Sequence, residues 1–154
     1  MLAEGDPAPE IEAESTQGPF RLSDVEGPVV LFFFPKAGSP VCTREACSFR
    51  DALPSFDELG ATVVGISPSD SADRLEQFAE DNALDYPLIA DEDGRIAEDY
   101  DIAGLFGMVD KRVTYVVDAD GRIADAVGGV VEMFQAQKHV ESSLAELEAG
   151  RTDG

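Results

Sequence analysis

Two cysteines, Cys42 and Cys47, are the residues of this 154-residue chain whose type and spacing are best suited to chemistry. The apolar run over residues 29–34 predicts a buried strand, and the charged segment 43–53 predicts a helix that Pro54 ends. Cys42 would then lie in the first turn of a helix, where unpaired backbone N–H groups and the helix dipole favour a thiolate. The pattern therefore predicts a reactive thiol. A role as a small buried apolar residue is the less favoured interpretation.

The segment between this strand and the helix is predicted to be a short turn. Pro35 ends the strand, and Gly38, Ser39 and Pro40 form the turn. Ser39 lies three residues before Cys42, so its hydroxyl is available to a molecule that approaches the sulfur.

The spacing of the two cysteines separates this chain from proteins that exchange dithiols through Cys-x-x-Cys. Five residues along an α-helix rise about 7.5 Å and turn about 140°, which puts the two Cα atoms roughly 8 to 9 Å apart. A disulfide tolerates at most about 7 Å between Cα atoms. Cys42 and Cys47 therefore cannot bond while the helix is intact, and bonding would require its first turns to unwind.

The residues around Cys42 resemble the sequence motif of a known protein family. Pro35, Ser39 and Cys42 form the Pro-x-x-x-Thr/Ser-x-x-Cys pattern of peroxiredoxins, and the continuation over residues 42–51 is similar to the bacterioferritin comigratory protein, or peroxiredoxin Q, branch. The similarity runs from residues 5–9, near the start, into the predicted strand 112–118. Ser39 stands where the branch usually has threonine and keeps the hydroxyl. Val41 stands where the branch often has glycine, and we expect it to narrow the approach to the sulfur.

Arg112 opens the predicted strand 112–118, which we expect to neighbour the strand that leads to Cys42. The resemblance implies that Arg112 is the active-site arginine, which would stabilise the thiolate and donate hydrogen bonds to a peroxide oxygen. Thioredoxins carry a cis-proline at the analogous place, and this chain has no proline there. Without the cysteine motif, Arg112 would be interpreted as a solvated charge beside Lys111.

The resemblance implies a thiol-dependent peroxidase that reduces hydrogen peroxide and organic hydroperoxides. The thiolate of Cys42 would attack the peroxide and become a sulfenic acid, Cys47 would resolve it as a disulfide, and a thioredoxin or glutaredoxin-like reductant would restore both thiols. Residues expected to act with Cys42 are Arg112, Ser39 and Pro35, and those expected to line the substrate pocket are Val41, Pro40 and Phe34. The alternative hypothesis is a redox-sensing or holdase-type binding protein that uses the same disulfide switch without significant turnover.

The composition excludes several other classes of protein. The chain has 32 acidic and 11 basic residues, for a formal charge of −21, which argues against nucleic acid and anionic membranes as partners. The acidic residues are spread along the chain and lysines are few, a pattern that favours a protein of a high-salt cytosol over an ordinary acidic cytosolic protein. A zinc site is disfavoured because His139 is the single histidine beside two thiols, and neither a metal nor another cofactor is expected.

The compartment is predicted from other features of the sequence. The sequence has no apolar stretch of roughly 20 residues, and its start lacks the features of a signal peptide. We therefore expect a cytoplasmic protein, in which thiols are kept reduced. The resemblance implies a monomer, and an apolar patch around Leu105, Phe106 and Met108 leaves a weak homodimer open.

The order of predicted elements indicates an α/β domain with a thioredoxin-like three-layer sandwich, and the resemblance implies that it is of the peroxiredoxin type. An N-terminal hairpin around Gln17 and Gly18 would be an addition to it, and Ser71 or Asp70 would cap the helix that runs to about Asn82. A closing helix is predicted over residues 135–148. We expect one domain over residues 1–150 and a frayed tail over residues 151–154.

Overall fold

A computed structural model describes residues 2–34, 37–38, 40–68, 70–101 and 111–130 of the chain. These residues form seven strands, three α-helices and a short 3-10 turn. In chain order the strands and α-helices are β1 (Glu12–Ser15), β2 (Gly18–Arg21), β3 (Val29–Phe33), α1 (Pro40–Glu58), β4 (Thr62–Ser67), α2 (Ala72–Asp81), β5 (Leu88–Ala90), α3 (Arg95–Asp99), β6 (Lys111–Val117) and β7 (Ile123–Val130).

The strands make one sheet in the order β2-β1-β5-β4-β3-β6-β7. The fully buried β3 lies at its centre, parallel to β4 and antiparallel to β6. At the end of β3, Phe33 pairs with Ile66 on one side and with Val113 on the other. The prediction that the strand containing Arg112 neighbours the strand leading to Cys42 is confirmed.

The sheet separates two apolar clusters, one under each outer layer. Alternate residues of β3 enter different clusters: Phe32 packs with α1 and α2, and Phe33 packs with α3 and the N-terminal segment. This alternation is what a strand covered on both faces requires. The predicted thioredoxin-like three-layer architecture is confirmed.

The N-terminal hairpin is also confirmed, with shifted boundaries. β1 and β2 pair so that Ser15 faces Gly18, and Ser15 also pairs with Ile89 of β5. Gly18 has a φ of +102°, which a residue with a side chain rarely adopts. The hairpin therefore extends the sheet at its β5 edge, as an addition beside the α/β core.

The prediction that Pro54 ends the cysteine helix is wrong, as is the placement of Pro40 in a turn. Pro40 is the first residue of α1, a position at which a backbone N–H has no partner within the helix, so proline costs no hydrogen bond there. The helix α1 continues through Pro54 to Glu58. A proline inside a helix costs about 3 kcal/mol. Burial of Phe56, whose ring centroid lies 5.9 Å from that of Phe49, offsets much of this cost because it returns roughly 1.5 to 3 kcal/mol.

The side chain of Asp91 caps the N-terminal end of α3. Its carboxylate is buried and accepts hydrogen bonds from the backbone N–H groups of Ile96 and Ala97, at 3.1 and 2.9 Å. Desolvation raises the pKa of this carboxyl, and the two backbone hydrogen bonds oppose that rise. Asp91 therefore serves as a cap for the start of α3.

Some predictions fall on residues that the structure does not describe. The closing helix over residues 135–148, His139 and the tail over residues 151–154 lie outside the described residues, and the division into one domain stays a prediction. No described helix combines the length and apolar character that a bilayer crossing requires.

Candidate active site

Cys42 lies in the first turn of α1, just beyond the end of β3. Its side chain is 1% exposed and belongs to the apolar cluster beneath α1, together with Phe34, Ala46 and Phe49. The cluster fixes the start of α1 against the sheet. A thiol at this position is held within the fold and shielded from bulk water.

The start of α1 gives the sulfur a favourable electrostatic setting. Cys42 is the third residue of the helix, after Pro40 and Val41, and the first turn carries no acidic residue. The N–H groups of this turn have no partner within the helix, and the helix dipole adds partial positive charge. Both effects favour the thiolate of Cys42, while burial among apolar side chains opposes them.

A buried carboxylate holds the loop that precedes α1. Oδ2 of Asp70 accepts hydrogen bonds from the backbone N–H of Ala37 and from the hydroxyl of Ser67, both at 2.7 Å. Nη2 of Arg74 donates to the carbonyl oxygen of Ala37 at 3.3 Å. Both the backbone N–H and the carbonyl oxygen of Ala37 are therefore hydrogen-bonded, and these two contacts hold Ala37 in place between β3 and α1.

Gly38 is required by the shape of the same loop. Its φ is +88°, and a Cβ atom there would collide with the guanidinium of Arg74. The sequence pattern predicts Gly38 as a turn residue, but for Asp70 it predicts only a role in capping α2. Ser71 is the actual cap, since its side chain accepts from the N–H of Arg74, and Asp70 and Arg74 are supporting residues that sequence reasoning missed.

Cys47 lies in the same helix and is half-buried. Its sulfur lies 3.7 Å from Oδ1 of Asn82, at the end of α2. No disulfide joins it to Cys42, and α1 is helical from Pro40 to Glu58. The predicted spacing of roughly 8 to 9 Å between the two Cα atoms therefore applies to the folded helix.

Arg50 connects Cys47 to the end of α2. Its Nη1 atom donates to the backbone carbonyl of Asn82 at 2.7 Å, while Nε and Nη2 both lie 3.0 Å from Oδ1 of Asp51. The pKa of the guanidinium is raised, first by the hydrogen bond to Asp51 and next by the charge that Cys47 can carry. The guanidinium of Arg50 is therefore a positive charge close to the sulfur of Cys47.

The remaining predicted residues are placed to different extents. Phe34 is buried in the same apolar cluster as Cys42 and packs against Phe32 and Phe78, so it is a core residue. Arg112 lies in β6, where it pairs with Gly129, one residue from the pairing of β6 with the end of β3. Pro35 and Ser39 lie outside the described residues.

A cavity of about 300 Å³ lies elsewhere in the fold. It is lined by residues that include Glu10, Val29, Val117 and Asp118. Val29 begins β3 and Val117 ends β6, so this cavity lies at the opposite end of these strands from the β3–α1 loop that leads to Cys42. It is not part of the cysteine site.

Comparison with known proteins identifies the class to which this fold and site belong. Residues 4–126 match the model of the AhpC/TSA family. The chain belongs to this family, and it is a peroxiredoxin, a thiol peroxidase that acts on peroxides with a reductant.

Within the family, the chain is close to the Bcp and peroxiredoxin Q proteins. It is 39% identical over 127 residues to peroxiredoxin Bcp of Bacillus subtilis, covering 77% of this chain and 80% of that protein. The structure of peroxidoxin BcpB from Mycobacterium tuberculosis superposes with a TM-score of 0.83 at 37% identity, over 97% of this chain and 98% of that one. Peroxiredoxin Q of Xanthomonas campestris gives a TM-score of 0.77 at 26% identity, over 90% of each chain. These similarities do not favour the alternative of a redox switch without turnover.

Proposed function

We propose that Cys42 is the peroxidatic cysteine of this thiol peroxidase. Its thiolate attacks the terminal oxygen of hydrogen peroxide or an organic hydroperoxide, the O–O bond breaks, and water or an alcohol leaves as Cys42 becomes a sulfenic acid. The observation that carries the proposal is the position of Cys42 in the first turn of α1, with no acidic residue in that turn. The start of a helix favours the thiolate that the reaction needs.

We assign Arg112 to the stabilisation of the peroxide and the departing oxygen. Strands alternate their faces with a period of two, so position 112 shares a face with Thr114 and Val116. Val116 belongs to the same apolar cluster as Cys42, and this register supports an arginine near the sulfur. A guanidinium there would act as an oxyanion-type donor.

The loop and the start of α1 complete the proposed pocket. The hydroxyl of Ser39 and the backbone N–H groups of residues 41 and 42 would donate to the peroxide oxygens. Pro35, Pro40, Val41 and Phe34 would shape the pocket and limit access to the sulfur. The hydrogen bond from Ala37 to Asp70 supports this arrangement because it holds Ala37, which lies between Phe34 and Pro40 in the chain.

Cys47 is proposed to resolve the sulfenic acid. Its thiol condenses with the sulfenic acid of Cys42, an S–S bond forms, and the sulfenic oxygen leaves as water. The continuous helix α1 implies that residues between the two cysteines must leave the helical conformation before the sulfurs meet. Oxidation would thus be coupled to local unwinding of α1.

An external dithiol of the thioredoxin or glutaredoxin class is proposed to reduce the disulfide by thiol exchange. We place the cycle in the cytoplasm and in a monomer or weak homodimer. The formal charge of −21 supports a high-salt cytosol, because salt screens the mutual repulsion of the acidic residues. The thermal midpoint should therefore rise steadily with KCl concentration. A midpoint that is flat or falls with KCl would contradict the salt adaptation alone.

The role of Arg112 is tested by the rate at which peroxide converts the Cys42 thiol to a sulfenic acid. In Arg112→Ala we expect this second-order rate constant to fall by about a hundredfold or more, the effect of losing one oxyanion donor. Lys111→Ala is the matched control and should retain the wild-type value. Equal rate constants in Arg112→Ala and the wild type would exclude the assignment.

A further inference from the structure

Three contacts hold the turn of α1 that carries Cys47 against the segment from Asn82 to Tyr86. The first is the approach of the Cys47 sulfur to Oδ1 of Asn82 at 3.7 Å. The second is the 2.7 Å hydrogen bond from Arg50 to the carbonyl oxygen of Asn82. In the third, the hydroxyl of Tyr86 donates to the carbonyl oxygen of Ala46 at 2.6 Å, in a buried position. We call Asn82, Arg50 and Tyr86 the Cys47 anchor.

The side chain of Asn82 is itself held in a fixed orientation. Its Nδ2 atom donates to the carbonyl oxygen of Phe78 at 2.9 Å, and its backbone N–H caps the end of α2 through the same carbonyl. With Nδ2 engaged, Oδ1 is the atom that faces Cys47. Oδ1 can accept a hydrogen bond from the Cys47 thiol, and this contact exists only while the turn of α1 that carries Cys47 is folded.

Tyr86 acts on the backbone next to Cys47. Its ring packs edge-on against Phe32, with 5.8 Å between ring centroids, so packing in the core positions its hydroxyl. Ala46 is the residue immediately before Cys47, and its carbonyl belongs to the stretch of α1 that must change conformation before the two sulfurs can meet. Breaking a buried hydrogen bond to that carbonyl adds to the free energy of unwinding.

We propose that Asn82 and Tyr86 are positioning residues that restrain Cys47 in folded α1 and thereby set how the Cys42 sulfenic acid divides between disulfide formation and over-oxidation. This inference rests on the proposed roles of Cys42 and Cys47. Arg50 supports it by fixing the carbonyl of Asn82.

The two fates of the sulfenic acid use different reactants. In the first, the Cys47 thiol attacks the Cys42 sulfur, a disulfide forms and water leaves. In the second, another hydroperoxide transfers an oxygen to the same sulfur, which becomes a sulfinic acid as water or an alcohol leaves. Only the first route requires α1 to unwind, so a weaker anchor should favour the disulfide.

The test compares wild-type protein with Asn82→Ala and Tyr86→Phe, each fully reduced and mixed with increasing hydrogen peroxide. Samples quenched with acid are analysed by mass spectrometry for the Cys42 thiol, its sulfenic acid, the disulfide and the sulfinic acid. Tyr86→Phe keeps the ring in the core and removes only the hydroxyl, so the fold is preserved. We expect disulfide formation to be about two- to tenfold faster in both variants, as the loss of one hydrogen bond allows. The peroxide concentration that over-oxidises half of the protein should rise by the same factor.

Tyr100→Phe is the matched control for Tyr86→Phe. The hydroxyl of Tyr100 also donates to a backbone carbonyl, that of Pro9, at 2.6 Å, but it lies in the cluster on the other side of the sheet. Gln77→Ala is the control on α2, since its exposed side chain donates a hydrogen bond to Asp81 and lies outside the Cys47 anchor. Both controls should resolve the sulfenic acid at the wild-type rate.

The outcomes separate this inference from the proposed function. Acceleration in Asn82→Ala or Tyr86→Phe, with both controls unchanged, supports the anchor at that residue. Disulfide formation at or below the wild-type rate in both variants overturns it, as does equal acceleration in Tyr100→Phe. If the wild type forms no sulfenic acid at Cys42, the proposed function itself fails.

Discussion

The backbone N–H of Ala37 donates a 2.7 Å hydrogen bond to the carboxylate of Asp70, a residue 33 positions later in the chain. Asp70 is buried and uses the same oxygen atom to accept from the hydroxyl of Ser67, at the end of β4. The loop that leads from β3 to Cys42 is therefore fixed by the neighbouring strand. This contact connects the stability of the sheet to the position of the proposed peroxidatic thiol.

Loss of the Asp70 carboxylate should slow the first chemical step. Asp70→Ala leaves the N–H of Ala37 and the hydroxyl of Ser67 without this acceptor, which costs about 1 to 3 kcal/mol for each buried group. We expect a lower free energy of unfolding and a rate constant for Cys42 oxidation reduced by about tenfold or more, because a misplaced loop loses near-attack geometry. Urea unfolding and peroxide-dependent loss of the Cys42 thiol measure the two effects.

Glu76→Ala is the control for this prediction, since Glu76 is an exposed residue of α2. It should change neither quantity. Asp70→Asn keeps one oxygen acceptor and should fall between Asp70→Ala and the wild type. An Asp70→Ala protein that oxidises at the wild-type rate would show that the loop holds its shape without this carboxylate.

Gly38→Ala should impair the site more than an equally strained substitution elsewhere. Both Gly38 and Gly94 have positive φ, +88° and +72°, so alanine at either should cost about 1 to 3 kcal/mol. A Cβ at Gly38 also meets Arg74, whereas nothing lies within 4 Å of a Cβ at Gly94. We expect similar losses of stability but a slower Cys42 oxidation only in Gly38→Ala. Equal oxidation rates in the two variants would argue against a role for the loop shape.

Alkaline pH should destabilise the fold through two buried tyrosines. Burial raises the pKa of Tyr100 and of Tyr115 above the ordinary value, and their hydroxyls donate to the carbonyl oxygens of Pro9 and Tyr100. A group whose pKa is raised by folding stabilises the protein below its unfolded pKa, here about 10, and loses that contribution as the pH rises further. The free energy of unfolding should therefore fall above about pH 10.

The slope of that fall identifies the tyrosines. Each proton taken up by folding contributes about 1.4 kcal/mol per pH unit. Tyr100→Phe should be less stable at neutral pH but show a shallower decline above about pH 10, as measured by urea unfolding. Absorbance titration of the folded protein should show Tyr100 and Tyr115 ionising late. Ionisation of both near their ordinary pKa would contradict the prediction.

Local patterns in the sequence were sufficient for the central part of the fold. The apolar run before Pro35, the turn residues around Gly38 and the charged helix that follows place Cys42 at a strand-to-helix junction, and the structure has that junction. The pairing of β3 with β6 followed from strand order and the family resemblance. These features depend on neighbours in the chain, which is why they can be predicted.

Contacts across the sequence were beyond the reach of those patterns. The contacts from Cys47 to Asn82 and from Tyr86 to Ala46 join residues 35 and 40 positions apart. Asparagine near the end of α2 and tyrosine before β5 have unremarkable local roles, and only the packing of α2 beside α1 brings them to the cysteine helix. Pro54 shows the same limit, because burial of Phe56 overrides a local stop signal.

The central claim is the division of labour between Cys42 and Cys47. The most direct measurement is peroxide consumption with a dithiol reductant at high salt, for the wild type, Cys42→Ser and Cys47→Ser. We predict that Cys42→Ser loses turnover and that Cys47→Ser accumulates a trapped sulfenic acid at Cys42. Wild-type protein that reacts with peroxide no faster than free cysteine, or Cys42→Ser that retains turnover, would contradict the account.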